Sequence, residues 1–250
     1  MIIAKNIQAN IQGEETRKLR NEIFLKSNHL NWLNQFFVPT AIKLVKASSN
    51  CSGQRVLDIG CGNGEIIKQI LQSLPNSTAV GIDAMDDHVE GAKINLSEFA
   101  DRSVIYTGSF EDIDNWSNYG QFDLIFSFNL LHFINGSDLI PCMMGVAKLL
   151  NNTGLYITKQ ITKSPHEFAE EYLRVTSEYC QELEPQDEVI KTLKKSYQKL
   201  LDSGERLGFS ARNVFHADQD IQKALFASGF KEVDMACKLL NHSMFIARKR

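Results

Sequence analysis

The chain has 250 residues, of which 43% are hydrophobic and 23% are charged, and its formal net charge is -3. This balance indicates a globular protein and excludes a disordered, collagen-like or coiled-coil chain. Because a general polyanion binder usually carries a basic excess, nucleic acid is not an expected partner.

The cysteines and the apolar segments indicate a protein of the reducing cytoplasm. The chain has five cysteines and no CxxC pair, so we expect neither a disulfide framework nor a metal site. The first residues, Met1 to Lys5, are followed by polar residues and lack the apolar core of a secretory signal. No apolar run approaches the ~20 residues of a membrane span, so no membrane partner is expected.

The predicted elements begin with a helical region and continue as alternating strands and helices. Residues 14–47 show a rough helical stripe, with a break expected before Pro39. This alternation predicts an α/β fold, with a doubly wound, mostly parallel seven-stranded sheet and an antiparallel last strand. The predicted strands lie at 56–59, 79–83, 104–107, 122–127, 155–158, 232–239 and 243–247.

The alternation is interrupted at about 160–210. Ser164 begins a capping box with Pro165 at the first helical position, and Gly204 is a natural helix stop. We interpret this stretch as an inserted helical hairpin, which acts either as a lid or as a partner interface. The chain then divides into an N-terminal helical cap, 1–50, and an α/β domain, 51–250, that carries the insertion.

The segment from Asp58 to Gly64 is the strongest functional motif. It reads Asp-Ile-Gly-Cys-Gly-Asn-Gly and follows a short apolar strand. Closely spaced glycines let a backbone approach a ligand at a helix N-terminus. An acid before the loop suits a ligand with an ammonium or sulfonium group, and it suits a pyrophosphate poorly. A second acid, Asp83, ends the next strand, where a carboxylate can bind the two hydroxyls of a ribose.

With these residues the chain resembles the Rossmann-like (class I) S-adenosylmethionine-dependent methyltransferases, in their small-molecule branch. The resemblance runs from about Arg55 to Thr158 and resumes weakly from Asp218 to Arg248. Val56 to Gly64 is similar to the first motif of the family almost throughout, and Val80 to Asp83 is similar to the second. The resemblance implies that 51–250 is a Rossmann-like domain that binds S-adenosylmethionine and releases S-adenosylhomocysteine.

The resemblance also implies roles for individual residues. The glycine loop would contact the methionine part of the cofactor, and Asp83 would hold the ribose. Ser109 departs from a frequent aspartate of the family, and Phe128 replaces a frequent asparagine. The implied adenine neighbours are Ala84, Met85, Ser109 and Phe110; the other implied contacts are Asp58, Gly60, Cys61, Gly62, Ser127 and Phe128, the last two beside the sulfonium.

His132 is the side chain that we nominate as a catalytic base. It follows the fourth predicted strand, where the acceptor should meet the methyl group, and histidine titrates near neutral pH. The alternative is a histidine that bonds to the backbone or helps to close the pocket.

The expected activity is methyl transfer to a small-molecule acceptor, with oxygen as the favoured atom and nitrogen or carbon next. The alternatives are a protein or RNA methyltransferase, a protein that binds S-adenosylmethionine without catalysis, and a nicotinamide-dependent oxidoreductase. Asp58 and the glycine spacing disfavour the last of these. The sequence leaves the oligomeric state open, with a homodimer among the possibilities.

Overall fold

The computed structural model of the protein describes residues 31–48, 53–163 and 215–249, with a few positions between 168 and 178. The strands are β1 (Arg55–Ile59), β2 (Thr78–Asp83), β3 (Ser103–Thr107), β4 (Phe122–Phe128), β5 (Leu150–Ile161), β6 (Glu232–Leu239) and β7 (His242–Arg248). The helices are α1 (Asn31–Ser48), α2 (Glu65–Ser73), α3 (Asp86–Asn95), α4 (Gly136–Leu149) and α5 (Asp218–Ala227), with short 3₁₀ segments at Ser97–Phe99, Phe110–Tyr119 and Leu131–Phe133.

The seven strands form one sheet in the order β3-β2-β1-β4-β5-β7-β6. The neighbouring pairs from β3 to β5 are parallel, whereas β7 runs antiparallel to both β5 and β6. This topology confirms the predicted doubly wound sheet with an antiparallel last strand.

Helices cover both faces of the sheet, because the strand side chains alternate between two buried clusters. Leu57 and Ile125 face the cluster that includes α4 and α5. Val56 and Leu124, their neighbours along the strands, face the cluster that includes α1, α2 and α3. Both faces of the central strands are therefore buried, and functional groups are restricted to the strand ends.

The connectivity places a crevice at the carboxyl ends of β1 and β4. From β1 the chain winds outward through β2 and β3, and it then returns to place β4 on the other side of β1. In open α/β sheets, ligands bind at the point where the winding direction reverses. The glycine loop after β1 and the loop after β4 both lie at this point.

Two predicted boundaries were wrong. Helix α1 runs through Pro39 without the expected break. A proline lacks the N–H that would bond to the carbonyl four residues earlier, here at Gln35, but that residue is exposed and water can satisfy the carbonyl. One turn along, the Thr40 hydroxyl donates to the Phe36 carbonyl at 2.7 Å.

Strand β5 is longer than predicted, because its first part also pairs with β4 through Phe122 and Leu150 across an irregular register.

Most of the predicted N-terminal cap and of the insertion at about 160–210 lies outside the described residues. Of the cap, α1 is described, and it packs on the sheet through Phe37, Val38 and Val45. Within the described ranges, no helix combines the length and the apolar character needed to cross a bilayer.

Candidate active site

The glycine loop between β1 and α2 adopts a backbone that favours glycine. Gly60, Gly62 and Gly64 have φ angles of 74°, 53° and 77°. A Cβ atom at Gly64 would lie 2.8 Å from Leu96 Cδ1, so the loop has both a conformational and a steric need for glycine there. The Gly60 amide donates to the Ile82 carbonyl at 2.7 Å, which ties the loop to β2.

Asp83, at the end of β2, holds the loop through its carboxylate. One oxygen accepts from the Gly62 amide at 2.9 Å, and the other accepts from the Met85 amide at 3.0 Å and lies 3.2 Å from His88 Nδ1. Burial acts to raise the pKa of Asp83, but the hydrogen bond and charge of His88 and the two amides outweigh it and lower that pKa. Asp83 is therefore an ionised carboxylate that shapes the crevice.

Asp58, on β1, differs from Asp83 because its environment favours the protonated carboxyl. Its side chain is fully buried, and neither carboxyl oxygen has a hydrogen-bond partner among the residues that the structure describes. Burial, and secondarily the negative charge of Asp83, raises the pKa of Asp58 to about 8. A buried acid without a partner is costly, so this carboxyl is suited to a ligand that brings a positive group.

These observations fit S-adenosylmethionine, which carries an ammonium and a sulfonium. The three glycines leave the loop backbone open to close approach, and Asp58 provides a carboxyl group for the cationic end of the ligand. Asp83 lies on the neighbouring strand, as expected for a group that faces the ribose. Bound at this crevice, the cofactor would supply an activated methyl group.

The segment Asn129–Phe133, which we call the β4 loop, lies against the glycine loop. A Cβ atom at Gly60 would lie 3.0 Å from Leu130 Cδ1. The Gln160 side chain, from β5, fixes the β4 loop by accepting from the amides of Leu130 at 3.0 Å and Leu131 at 2.9 Å. The β4 loop is thus a rigid wall beside the predicted methyl donor.

His132 occupies this wall and is 7% exposed. Within the described ranges its Nδ1 atom has no hydrogen-bond partner, and its ring packs against Phe133 with a centroid distance of 4.2 Å. Burial, with smaller contributions from Lys159 and His216, lowers the pKa of His132 to about 4. The imidazole is therefore neutral near pH 7, and its Nδ1 can accept or donate one hydrogen bond.

Lys159 is a functional candidate that the sequence reading missed. It lies near the end of β5, is 0% exposed, and donates from Nζ to the Asn129 side-chain oxygen at 2.7 Å. The available signal was a lysine directly after an apolar strand, at the same sheet edge as the glycine motif. Its burial depends on α1, which lies more than a hundred residues earlier in the chain, and that contact leaves no local pattern.

A family model described as a methyltransferase domain matches residues 50–226. The chain belongs to this methyltransferase family. This result confirms the family, enzyme class and S-adenosylmethionine dependence predicted from the glycine motif.

Three similar proteins illustrate the relationship. An uncharacterized methyltransferase of Synechocystis is 32% identical over 104 residues, which are 42% of this chain and 45% of that protein. A structure of the Synechocystis magnesium protoporphyrin IX methyltransferase with bound SAH has a TM-score of 0.59 and 18% identity, covering 88% of this chain and 86% of that one. The CurJ carbon methyltransferase structure has a TM-score of 0.61 and 17% identity, covering 92% and 57%. This methyltransferase chain spans less than half the length of the curated relative, and the two structures show a shared fold.

The remaining predicted cofactor residues fall into two groups in this methyltransferase. Gly60, Cys61, Gly62, Ala84 and Met85 lie on the loops after β1 and β2, at the crevice. Burial, then the charges of Asp58 and Asp83, raises the pKa of the Cys61 thiol, which disfavours the thiolate that a nucleophilic role would need. Whether each residue contacts the cofactor stays a prediction.

The second group consists of side chains with existing partners. Ser109 Oγ accepts from the Glu111 amide at 3.4 Å and begins the segment Phe110–Tyr119. Phe110 is buried against Trp116, with a centroid distance of 6.5 Å. The Ser127 hydroxyl lies 2.7 Å from the Tyr156 hydroxyl, and Phe128 packs edge-on against Phe126. The adenine and sulfonium contacts assigned to these residues stay predictions.

Among the described residues, groups of His, Cys, Asp and Glu suited to a metal ion do not occur.

Proposed function

We propose that this methyltransferase transfers a methyl group from S-adenosylmethionine to an oxygen atom of a small-molecule acceptor. The observation that carries the proposal is His132, a buried neutral imidazole with an unpartnered Nδ1 on the wall of the cofactor crevice. A hydroxyl group that receives the methyl must lose its proton as it attacks, so it needs a hydrogen-bond acceptor close by. A neutral amine, in contrast, attacks with a free lone pair.

A cytoplasmic location belongs to the same proposal, supported by the free thiols of the described cysteines.

The residues of the site have separate tasks in this reaction. Asp58 faces the cationic end of the cofactor, and Asp83 holds the glycine loop and the ribose. The His132 imidazole accepts the hydrogen bond of the acceptor hydroxyl and orients its oxygen along the line of attack. Gln160 keeps His132 in place by fixing the two amides before it. The cofactor supplies the methyl group and leaves as a neutral thioether.

We further propose that the N-terminal cap and the insertion enclose the acceptor. The ring of Phe37, on α1, lies 5.3 Å from Lys159 Nζ, so the cap reaches the end of β5. Within the insertion, the rings of Phe168 and Tyr172 stack at a centroid distance of 6.1 Å. An enclosed site excludes water, which would otherwise solvate the nucleophile. Proteolysis within 160–210 should then slow when cofactor and acceptor are both bound.

The test is methyl transfer from labelled S-adenosylmethionine to separate pools of phenols, carboxylic acids and amines, and to macromolecular extracts. We expect labelled product in the phenol pool, reduced about 100-fold in kcat by His132→Ala. Phe226→Ala is the control, because the Phe226 side chain is 51% exposed and lies on α5, outside the β4 loop. Unchanged turnover in His132→Ala, with intact cofactor binding, would exclude the role of His132. Labelling confined to amines or macromolecules would refute the acceptor class.

A further inference from the structure

Lys159 is a buried amine that has no anionic partner in the part of the chain that the structure describes. Its Nζ donates to the neutral side-chain oxygen of Asn129 at 2.7 Å and lies 5.3 Å above the ring of Phe37. Among the described residues, no carboxylate lies within ion-pair distance of it. An amine with one hydrogen-bond acceptor retains either further N–H groups or a lone pair for another molecule.

The surroundings of Lys159 favour its neutral form. Burial lowers the pKa of Lys159 to about 7. Among the described residues, the other titratable groups that face Lys159 are His132 on the β4 loop and His242 on β7. Burial, and secondarily the charge of Lys159, lowers the pKa of His242 to about 2. With both imidazoles neutral, Lys159 is the one group of the three that gains or loses a proton near neutral pH.

The backbone places Lys159 beside the predicted site of methyl transfer. The Asn129 amide donates to the Lys159 carbonyl at 2.7 Å, and Asn129 has a φ of 55°, a left-handed conformation that few residues other than glycine adopt. Asparagine is one of those few residues, and here its side-chain oxygen accepts from Lys159 Nζ. The next residue, Leu130, packs on Gly60, so only the β4 loop separates Lys159 from the glycine loop.

We propose that Lys159 binds the reacting oxygen of the acceptor and removes its proton, and that the acceptor is a phenol. This inference rests on the proposed function and adds the base and the acidity of the substrate. The Lys159 amine takes the proton from the acceptor O–H as the oxygen forms its bond to the methyl carbon. The methyl–sulfur bond breaks with its electron pair left on sulfur, and the Lys159 ammonium later returns its proton to water. Lys159 thereby takes the place of His132 as the acceptor of the hydroxyl proton, and the neutral His132 imidazole orients the same oxygen by donating an N–H to it.

The experiment uses 4-nitrophenol, whose phenolate absorbs visible light and whose neutral phenol does not. The full chain is saturated with S-adenosylhomocysteine, which has no methyl group to transfer, and titrated with 4-nitrophenol at about pH 6, where the free probe is mostly neutral. We expect the wild type to bind the phenolate, with the apparent pKa of the bound probe lowered by about one unit or more. Lys159→Met should abolish the visible signal.

The controls separate this inference from the function beneath it. Lys148→Met removes an exposed lysine that pairs with Asp114, and it should behave as wild type. Lys159→Gln is measured beside Lys159→Met, and retained binding of S-adenosylhomocysteine shows that each variant is folded. If the wild type does not bind S-adenosylhomocysteine, the proposed function is wrong and the inference falls with it. If S-adenosylhomocysteine binds but the wild type gives no phenolate signal, or gives one that the Lys159 variants share, only the inference is wrong.

Discussion

The protonation state of Asp58 gives the sharpest prediction about the cofactor site. With a pKa of about 8 in the ligand-free protein, Asp58 carries about 0.9 of a proton at pH 7. An ammonium group bound beside it favours the ionised carboxylate and lowers that pKa. Binding of S-adenosylmethionine at pH 7 should therefore release up to about 0.9 of a proton from Asp58.

Proton release is measured by calorimetric titration in two buffers that differ in their heat of ionisation. The slope of the apparent binding enthalpy against that heat is the number of protons exchanged. In Asp58→Asn, an uncharged residue of nearly the same shape, the contribution of Asp58 vanishes and the affinity falls. Equal proton release in wild type and Asp58→Asn, or none in the wild type, would refute the assignment of Asp58 to the cationic end of the ligand.

The same group predicts a pH dependence of folding. In the unfolded chain Asp58 ionises near its ordinary pKa of 3.8, whereas in the folded protein it holds its proton to about pH 8. The folded state binds more protons in this window, so the contribution of Asp58 to stability is present below about pH 4 and is lost as the pH rises to about 8. The free energy of unfolding of Asp58→Asn, relative to wild type, should therefore increase across that window. A difference that does not change with pH would contradict the raised pKa.

Two further predictions concern the glycine loop. Both carboxylate oxygens of Asp83 accept backbone amides, and Asp83→Asn leaves only one side-chain oxygen to do so. This substitution should weaken S-adenosylhomocysteine binding about tenfold or more. The control is Asp86→Asn, at the exposed start of α3, which should leave that binding unchanged. Gly64→Ala should lower the free energy of unfolding, measured in urea, by about 1–3 kcal/mol, because Gly64 has a positive φ and its new Cβ would contact Leu96. The control is Gly136→Ala, which should be neutral or stabilising because the new Cβ meets open space. Equal effects of the two glycine substitutions would contradict the steric argument.

The cofactor half of the site was predictable because its signals are local. Asp58, the glycines and Asp83 occupy fixed positions at the ends of two consecutive apolar strands, and parallel strands bring such ends to one edge. The doubly wound, mostly parallel sheet followed from the alternation of strands and helices. Neither inference needed contacts between distant parts of the chain.

The acceptor half was less predictable because its groups are defined by distant contacts. His132 was recognisable from its position after a strand, but the missing partner of Nδ1 depends on what surrounds it. In the sequence, Lys159 looks like an ordinary lysine at the end of a strand. Its contacts with Asn129 and Phe37 are visible only in the folded structure. The path of α1 through Pro39 was missed for a related reason, since packing of α1 on the sheet outweighs the local preference of proline.

The two acids of the crevice differ in charge because, among the described residues, only Asp83 has hydrogen-bond donors. Asp83 takes the amides of Gly62 and Met85, and its negative charge then adds to the burial that keeps Asp58 protonated. Two buried carboxylates at one sheet edge would both be ionised only at a high electrostatic cost. A single proton on Asp58 removes this cost in the ligand-free state. In the binding mode that we propose, the positive group of the cofactor replaces that proton at Asp58, while Asp83 stays ionised and faces the ribose.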